Sequence, residues 1–284
     1  MNKLLVIIIA FLLFYSCEKQ RTETPTKGYL KCYVDESLYN LIYDEADLFM
    51  NFYKDAKIDL IKVKAREGIA NILNNEAEMF VSSRQLNKEE MNFIKNNHLE
   101  ININKFCYDG IAVIGNRNFP NDKIQLQELI DLMANTKNKI KVIIPEKNSG
   151  IYEYVISNLT KEEDLKNVEI VLNEIDVIDK VRKNNNIIGL IGLNNLKNID
   201  DVKILKIGVW DNSINGISYY YPHPGYLVNA SYPLQRTNYI LLREIGTGLA
   251  TGFTSFLTSN EGQTIVMKNN LGPATVPVKL IQLD

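Results

Sequence analysis

Residues 80–90 read FVSSRQLNKEE. An apolar strand end runs into Ser82, Ser83 and Arg84. A helix start follows at once, with Asn87 as its cap and Glu90 three positions on, the spacing of a capping box. Hydroxyls, free backbone N–H groups and a guanidinium, placed where a strand hands over to a helix, suit an oxyanion. The same residue types also make ordinary turns and caps, and on this stretch alone both readings stand. Two more loops offer similar chemistry. Asp35, Glu36 and Ser37 follow the β-prone GYLKCYV, and Asn148, Ser149 and Gly150 follow IKVIIPEK, with Ile151 next in line. Ser37 could equally cap a helix, and Asp35 and Glu36 could be first-turn acids that complement its dipole.

Other chemistry finds less support. The sequence holds no G-x-S-x-G elbow, no Walker A motif and no H-E-x-x-H. The two histidines, His98 and His223, lie outside the three loops, so Ser37, Ser83 and Ser149 have no evident base. Cys32 and Cys107 sit in apolar, strand-like runs with no second Cys or His at metal-ligand spacing. They are expected to be buried free thiols, with a Cys32–Cys107 disulfide as the alternative. No catalytic residue, metal or cofactor is therefore assigned.

The elements that must hold these loops alternate. Residues 28–34, 58–63, 78–82 and 106–114 read as strands, and 38–53, 67–74 and 87–96 as helices. The rhythm restarts with helices at 126–133, 149–159, 161–168 and 175–183, and strands at 140–144, 168–172, 187–192 and 202–207. Thr160 and Glu163 are spaced as a second capping box. The closing segment has β-prone runs at 225–230 and 238–242, helices at 250–257 and 261–269, and a last extended run at 276–281. This pattern predicts an α/β fold of two lobes, each a mainly parallel sheet flanked by helices, with ligand loops at the carboxyl ends of strands. Three successive tyrosines, Tyr219 to Tyr221, alternate faces along a strand, so at least one is expected to be buried and the rest could form a partner patch. Arg236 is read as structural, a tie for the returning strand.

The N-terminus, MNKLLVIIIAFLLFYSC, places Lys3 before an apolar run that fits a signal h-region and is short for a membrane span. It ends at Ser16-Cys17, similar to a bacterial lipobox, in which Cys17 becomes the lipid-modified first residue. Residues 1–16 are accordingly a signal peptide, and the polar residues 17–27 a flexible tether. An ordinary cleaved signal is the competing reading. With 32 Lys and Arg against 34 Asp and Glu, and no basic block, the chain offers nothing for nucleic acid.

Several stretches together resemble the phosphate-binding lipoproteins of ABC importers, type II periplasmic binding proteins. They are VDESLYNLI, VSSRQLNKEE, CYDGIAVIGNRNFPND, NSGIYEY, SYPLQRTNYI and TSFLTSNEGQTIVMKNNLGPATVP. The resemblance runs from about Gly28 to Leu280. It implies a two-lobed clamp with a hinge of two crossing strands near residues 111–116 and 221–228. Residues 28–116 and 225–284 would form lobe one and 117–224 lobe two. It further implies inorganic phosphate or a similar oxyanion held by Asp35, Glu36, Ser37, Ser82, Ser83, Arg84, Asn148, Ser149, Gly150 and Ile151. Arg84 would contact the anion bidentately, and Asp35 or Glu36 would accept a proton from it. The partners implied are the membrane subunits of an ABC importer and a membrane reached through the lipid anchor, with an extracytoplasmic monomer. The chain departs from the pattern at Ile151, where the family has a hydroxyl, and at Pro145 to Lys147, where many members carry an arginine. A clamp that has lost phosphate and serves as a sensor or interaction protein is the second reading.

Overall fold

A computed structural model describes residues 23–196, 199–243 and 246–275. Cys17, the signal segment and the last extended run lie outside the described residues. The described residues begin with a tight turn in which Thr24 and Lys27 exchange backbone hydrogen bonds of 2.9 and 3.2 Å, so the final residues of the expected tether are folded.

The first half alternates β1 (Gly28–Asp35), α1 (Tyr39–Phe52), β2 (Ala56–Val63), α2 (Ala65–Leu73), β3 (Met79–Ser82) and α3 (Lys88–Asn96). β1 pairs in parallel with β2 on one side and β3 on the other. β4 (Asn102–Asn116) follows and is the spine of the molecule. Up to Gly110 it pairs antiparallel with β12 (Gln235–Leu242), which lies between it and β3. From Ile111 onward it pairs with β8 (Ile187–Gly192) and β9 (Val202–Ile204) instead. Ile111, Ala112, Val113 and Ile114 are fully buried, as expected of a strand covered on both faces.

Beyond β4 come β5 (Lys123–Gln125), α4 (Leu126–Ala134), β6 (Lys141–Pro145), α5 (Gly150–Tyr154), β7 (Val168–Val171) and α6 (Glu174–Lys183). β6 lies between β8 and β7, parallel to both. The main sheet thus runs β2-β1-β3-β12-β4-β8-β6-β7. It forms two lobes joined through β4. Each lobe has a strand, β1 or β6, whose neighbours lie on both sides. That arrangement opens a crevice at the carboxyl end of the strand.

β10 (Lys206–Asp211) and β11 (Gly216–Tyr220) form a hairpin that pairs with β5 in a separate three-stranded sheet. The chain returns through α7 (Pro224–Val228) to β12, then α8 (Leu249–Leu257), α9 (Asn260–Lys268) and β13 (Gly272–Pro273). The core of the first lobe is aromatic where α1 meets α8: Phe49 packs edge-on against Phe253 and Phe256, each at 5.3 Å.

The structure corrects several expectations. Residues 225–230 are a short helix through Val228 and a turn, because Pro224 opens the helix and the His223 ring caps it by accepting from Gly225 N–H at 3.2 Å. One of the two expected crossing strands is therefore a short helix. Residues 161–168 contain only the single turn Glu162–Asp164, without a side-chain cap from Thr160. The run 202–207 is divided between β9 and β10, which serve different sheets. None of Tyr219, Tyr220 and Tyr221 is buried. The small sheet covers them only partly; Lys123 Nζ lies 4.7 Å above the Tyr219 ring, and Tyr220 meets Tyr226 edge-on. Cys32 and Cys107 are free and buried. β3 and β12 separate their strands, which at about 4.8 Å per strand step exceeds disulfide reach.

Candidate functional site

The three loops singled out by sequence leave the carboxyl ends of β1, β3 and β6, and the fold brings their tips together. Asp35 closes β1 and caps the turn Glu36–Leu38. Its Oδ1 accepts from the Ser37 N–H at 2.9 Å and the Ser37 hydroxyl at 2.6 Å. Its Oδ2 accepts from the Ser83 hydroxyl at 2.8 Å. Gly150, at the first turn of α5, packs against this group from the other lobe. A methyl added to Gly150 would fall 2.0 Å from Ser83 Oγ and 3.4 Å from Asp35 Oδ2, so only glycine permits this approach. Ser149 caps α5 by accepting from Tyr152 N–H at 3.1 Å.

The remaining expected contacts divide differently. The Ser82 hydroxyl donates to the Arg84 carbonyl at 2.8 Å and accepts from Arg84 N–H at 3.3 Å. It locks the turn that aims Ser83. Arg84 was expected to grip an anion with both arms of its fork. Instead the fork holds Glu90, with Nη1 at 2.8 Å from Oε2 and Nη2 at 2.7 Å from Oε1. Its Nε lies 2.5 Å from Glu153 Oε2. Glu90 is held in place because it also completes the capping box with Asn87. The side chain of Ile151 turns inward and is 1% exposed within the apolar core. Asn148 is exposed, and only its carbonyl bridges the lobes, accepting from Arg66 N–H at 3.3 Å.

Glu36 is taken up by Lys64 rather than by the Asp35 cluster. Its Oε2 accepts from Lys64 Nζ at 2.7 Å. The same ammonium donates to the Leu172 carbonyl at 2.8 Å and lies 3.6 Å from Glu146 Oε1. Lys64 thus fastens the first lobe to the second. Arg66 does likewise, with Nε at 3.2 Å from Glu153 Oε1. Burial raises the Glu36 and Glu153 carboxyls above the ordinary range, while their cationic partners pull the other way.

Behind Ser37 lies a buried ion pair. Arg236 donates from Nε at 3.0 Å and Nη2 at 2.6 Å to Asp109 Oδ2, and from Nη2 at 2.9 Å to Ser37 Oγ. A relay therefore runs from Arg236 to Ser37 to Asp35, with Ser83 donating from the far side. Nη1 of Arg236 is buried without a hydrogen-bond partner among the described residues. Glu174, on α6, accepts from Gly192 N–H at 2.7 Å and the Asn195 amide at 2.8 Å. Burial pushes its carboxyl up to about 7, with Arg236 opposing. Asn194 Nδ2 reaches the Ser37 carbonyl at 3.3 Å.

The reading of Arg236 as a structural tie holds, but its partner Asp109 went unassigned, as did Lys64, Arg66, Glu153 and Glu174. A signal existed for Asp109: a lone acid inside an apolar strand requires a partner. Beside the cluster opens a cleft of about 700 Å³, lined by Ser83, Arg84, Glu153, Tyr154, Arg236 and Tyr239 among others. Its walls carry hydroxyls from both lobes and guanidinium groups from lobe one, suited to a small polar or anionic solute.

A family model described as a PBP superfamily domain matches residues 19–261. No curated protein matches the sequence. Among solved structures, the chain is similar to a putative phosphate ABC transporter substrate-binding protein with bound phosphate from Clostridium perfringens. Identity is 24% and the TM-score 0.74, over 87% of this chain and 100% of that one. It is also similar to an ABC-type phosphate transport receptor from Vibrio cholerae, at 18% identity and TM-score 0.65, over 86% and 99% of the two chains. The substrate-binding domain of a putative molybdenum ABC transporter from Clostridium difficile matches at 14% identity and TM-score 0.54, over 87% and 99%. At these identities the structures speak for the fold.

Proposed function

Because the chain belongs to the PBP superfamily, a family of binding proteins rather than enzymes, we propose that it is an extracytoplasmic solute-binding lipoprotein. It captures inorganic phosphate or a similar small oxyanion between its lobes and delivers it to the membrane subunits of an ABC importer. The observation that carries this reading is the convergence of Asp35, Ser37 and Ser83 from one lobe with Gly150 from the other, beside a cleft lined by Arg84 and Arg236. The similarity to receptors whose structures are described as phosphate-binding supports it. On this reading the described residues within 28–116 and 225–275 make up lobe one and those within 117–224 lobe two. The protein acts as a monomer tethered through Cys17.

Titration calorimetry tests the ligand. The protein is expected to bind phosphate more tightly than sulfate at neutral pH, because a carboxylate in the first loop repels a fully ionised anion more than a partly protonated phosphate. Arg84→Ala removes a cation from the cleft, strips Glu90 of its ion-pair partner and leaves Glu153 with Arg66 alone. It is expected to weaken phosphate binding by about 1.5–3 kcal/mol. No heat and no thermal shift with millimolar phosphate, in a folded protein, would end the phosphate reading. A specific observation favours the second reading, a sensor or interaction clamp without phosphate: the Arg84 fork already holds Glu90, with Glu153 at its Nε. Silent calorimetry would bring that reading forward.

The anchor has its own test. Cells labelled with a radioactive fatty acid are expected to incorporate label into the wild-type protein and none into Cys17→Ser, which should remain unprocessed or leave the membrane. Label retained by the variant would exclude Cys17 as the acylated residue.

A further inference from the structure

We propose that the Asp35 carboxylate is a built-in occupant of the oxyanion cradle: it takes the Ser37 and Ser83 donors for itself, the lobes close directly onto it, and a solute oxyanion binds only by displacing it. This inference rests on reading the loop cluster as an anion cradle and goes on to say what sets its affinity and selectivity.

Three donors converge on the two carboxylate oxygens: the Ser37 N–H, the Ser37 hydroxyl and the Ser83 hydroxyl. They come from the two loops of lobe one that would present donors to a captured anion. Asp35 is 1% exposed, and its donors Ser37 and Ser83 are equally buried. A carboxylate is itself a planar oxyanion, and backbone N–H and hydroxyl donors satisfy it in the way they would satisfy a solute. The relay behind it is aligned for the same purpose: Arg236 donates to Ser37 Oγ, which leaves the Ser37 hydroxyl proton directed at Asp35.

Contact between the lobes completes the picture. A single methyl at Gly150 would overlap Ser83 Oγ, so the gap between the second and third loops is narrower than one carbon atom. The closing contacts also use internal charges. Arg84 and Arg66 engage Glu153, and Lys64 engages the Leu172 carbonyl. Cations of lobe one are thereby matched by acceptors of lobe two. An entering anion must part Gly150 from Ser83 and compete with Asp35 for every donor the first two loops supply. Its negative charge also meets that of Asp35 at close range.

The experiment compares the wild type with Asp35→Ser, which removes the internal anion and leaves a hydroxyl in the loop. Inorganic phosphate and sulfate are the probes, in calorimetry and small-angle scattering. Asp35→Ser is expected to bind phosphate at least tenfold more tightly than the wild type, and to gain more for sulfate, so that discrimination between the two falls. In scattering, the wild type is expected to stay compact with or without phosphate, and the variant to be expanded without it and compact with it. Tighter binding in Asp35→Ser alongside a silent wild type would support the internal occupant while removing native phosphate capture. Binding by the wild type that is lost in Asp35→Ser would overturn the proposal and leave phosphate capture standing, with Asp35 as a ligand contact. Silence in both proteins overturns both. Should Asp35→Ser fail to fold, Asp35→Asn keeps the shape and removes the charge. It is expected to raise phosphate affinity severalfold, and an unchanged or weaker affinity in that variant counts against the proposal.

Discussion

Arg236→Ala is expected to destabilise the protein by about 3–5 kcal/mol, the usual consequence of stripping one partner from a buried ion pair. The guanidinium is 4% exposed, and its partner Asp109 is fully buried. Burial raises the Asp109 carboxyl above the ordinary range, and Arg236 is the main influence holding it down. Without Arg236, Asp109 keeps one contact among the described residues, from the Gly110 N–H at 2.7 Å. The loss corresponds to a fall in thermal midpoint of about 6–20 °C. Arg236→Met combined with Asp109→Leu is expected to recover most of it, because an apolar pair of similar volume avoids desolvating two charges. A single Arg236→Ala variant that melts with the wild type would show that the pair contributes nothing. The same substitution frees Ser37 Oγ from one of its two partners, so the first loop is expected to loosen along with the core.

Glu45→Gln is expected to stabilise the protein strongly at pH 8 and hardly at all near pH 4. Glu45 lies on the buried face of α1, has no exposure, and neither carboxylate oxygen has a hydrogen-bond partner among the described residues. Burial, with the neighbouring Asp44 charge adding to it, pushes its carboxyl up to about 9. The unfolded chain releases this proton near the ordinary glutamate value of about 4.3, whereas the folded chain keeps it until about pH 9. The stabilising contribution is therefore complete below the unfolded value and drains away as pH rises towards the folded one. The slope is about 1.4 kcal/mol per pH unit. A neutral amide does not carry this dependence, so the variant gains on the wild type by roughly 2–5 kcal/mol at pH 8. Urea midpoints measured at pH 4.5 and pH 8 decide the matter. Parallel pH profiles for the two proteins would show that Glu45 is not held protonated.

Both effects concern groups whose positions in the sequence revealed little. Glu45 falls on the apolar stripe of an amphipathic helix, where a glutamate reads as a tolerated exception. Asp109 falls inside CYDGIA, a stretch that supported the family resemblance without being given a role. In each case the sequence exposed the anomaly, a charge among apolar residues, and left the partner unknown. The turn around Pro224 shows another limit. Tyrosines and valine favoured an extended reading, but Pro224 at the first helical position and the His223 cap were the stronger local signals. The division of residues 202–207 between two sheets had no local signal, because strand partners lie far along the chain.

What the sequence determined by itself was local. The alternation of strands and helices, the Asn87–Glu90 capping box and the three polar loops after β1, β3 and β6 all follow from periodicity and neighbouring residues, which act over one or two turns of chain. What the tertiary structure decided was who meets whom. Ser83 reaches Asp35 across 48 residues and Arg236 reaches Ser37 across 199. Arg84 finds Glu153 on the opposite lobe, and Ile151 turns into the core where the resemblance placed a ligand contact. Hydrogen bonds and ion pairs form only within about 3–4 Å. A residue's type therefore fixes what it can donate or accept, while only the packed sheets fix whether its partner is a solute, a neighbouring strand or the protein's own carboxylate.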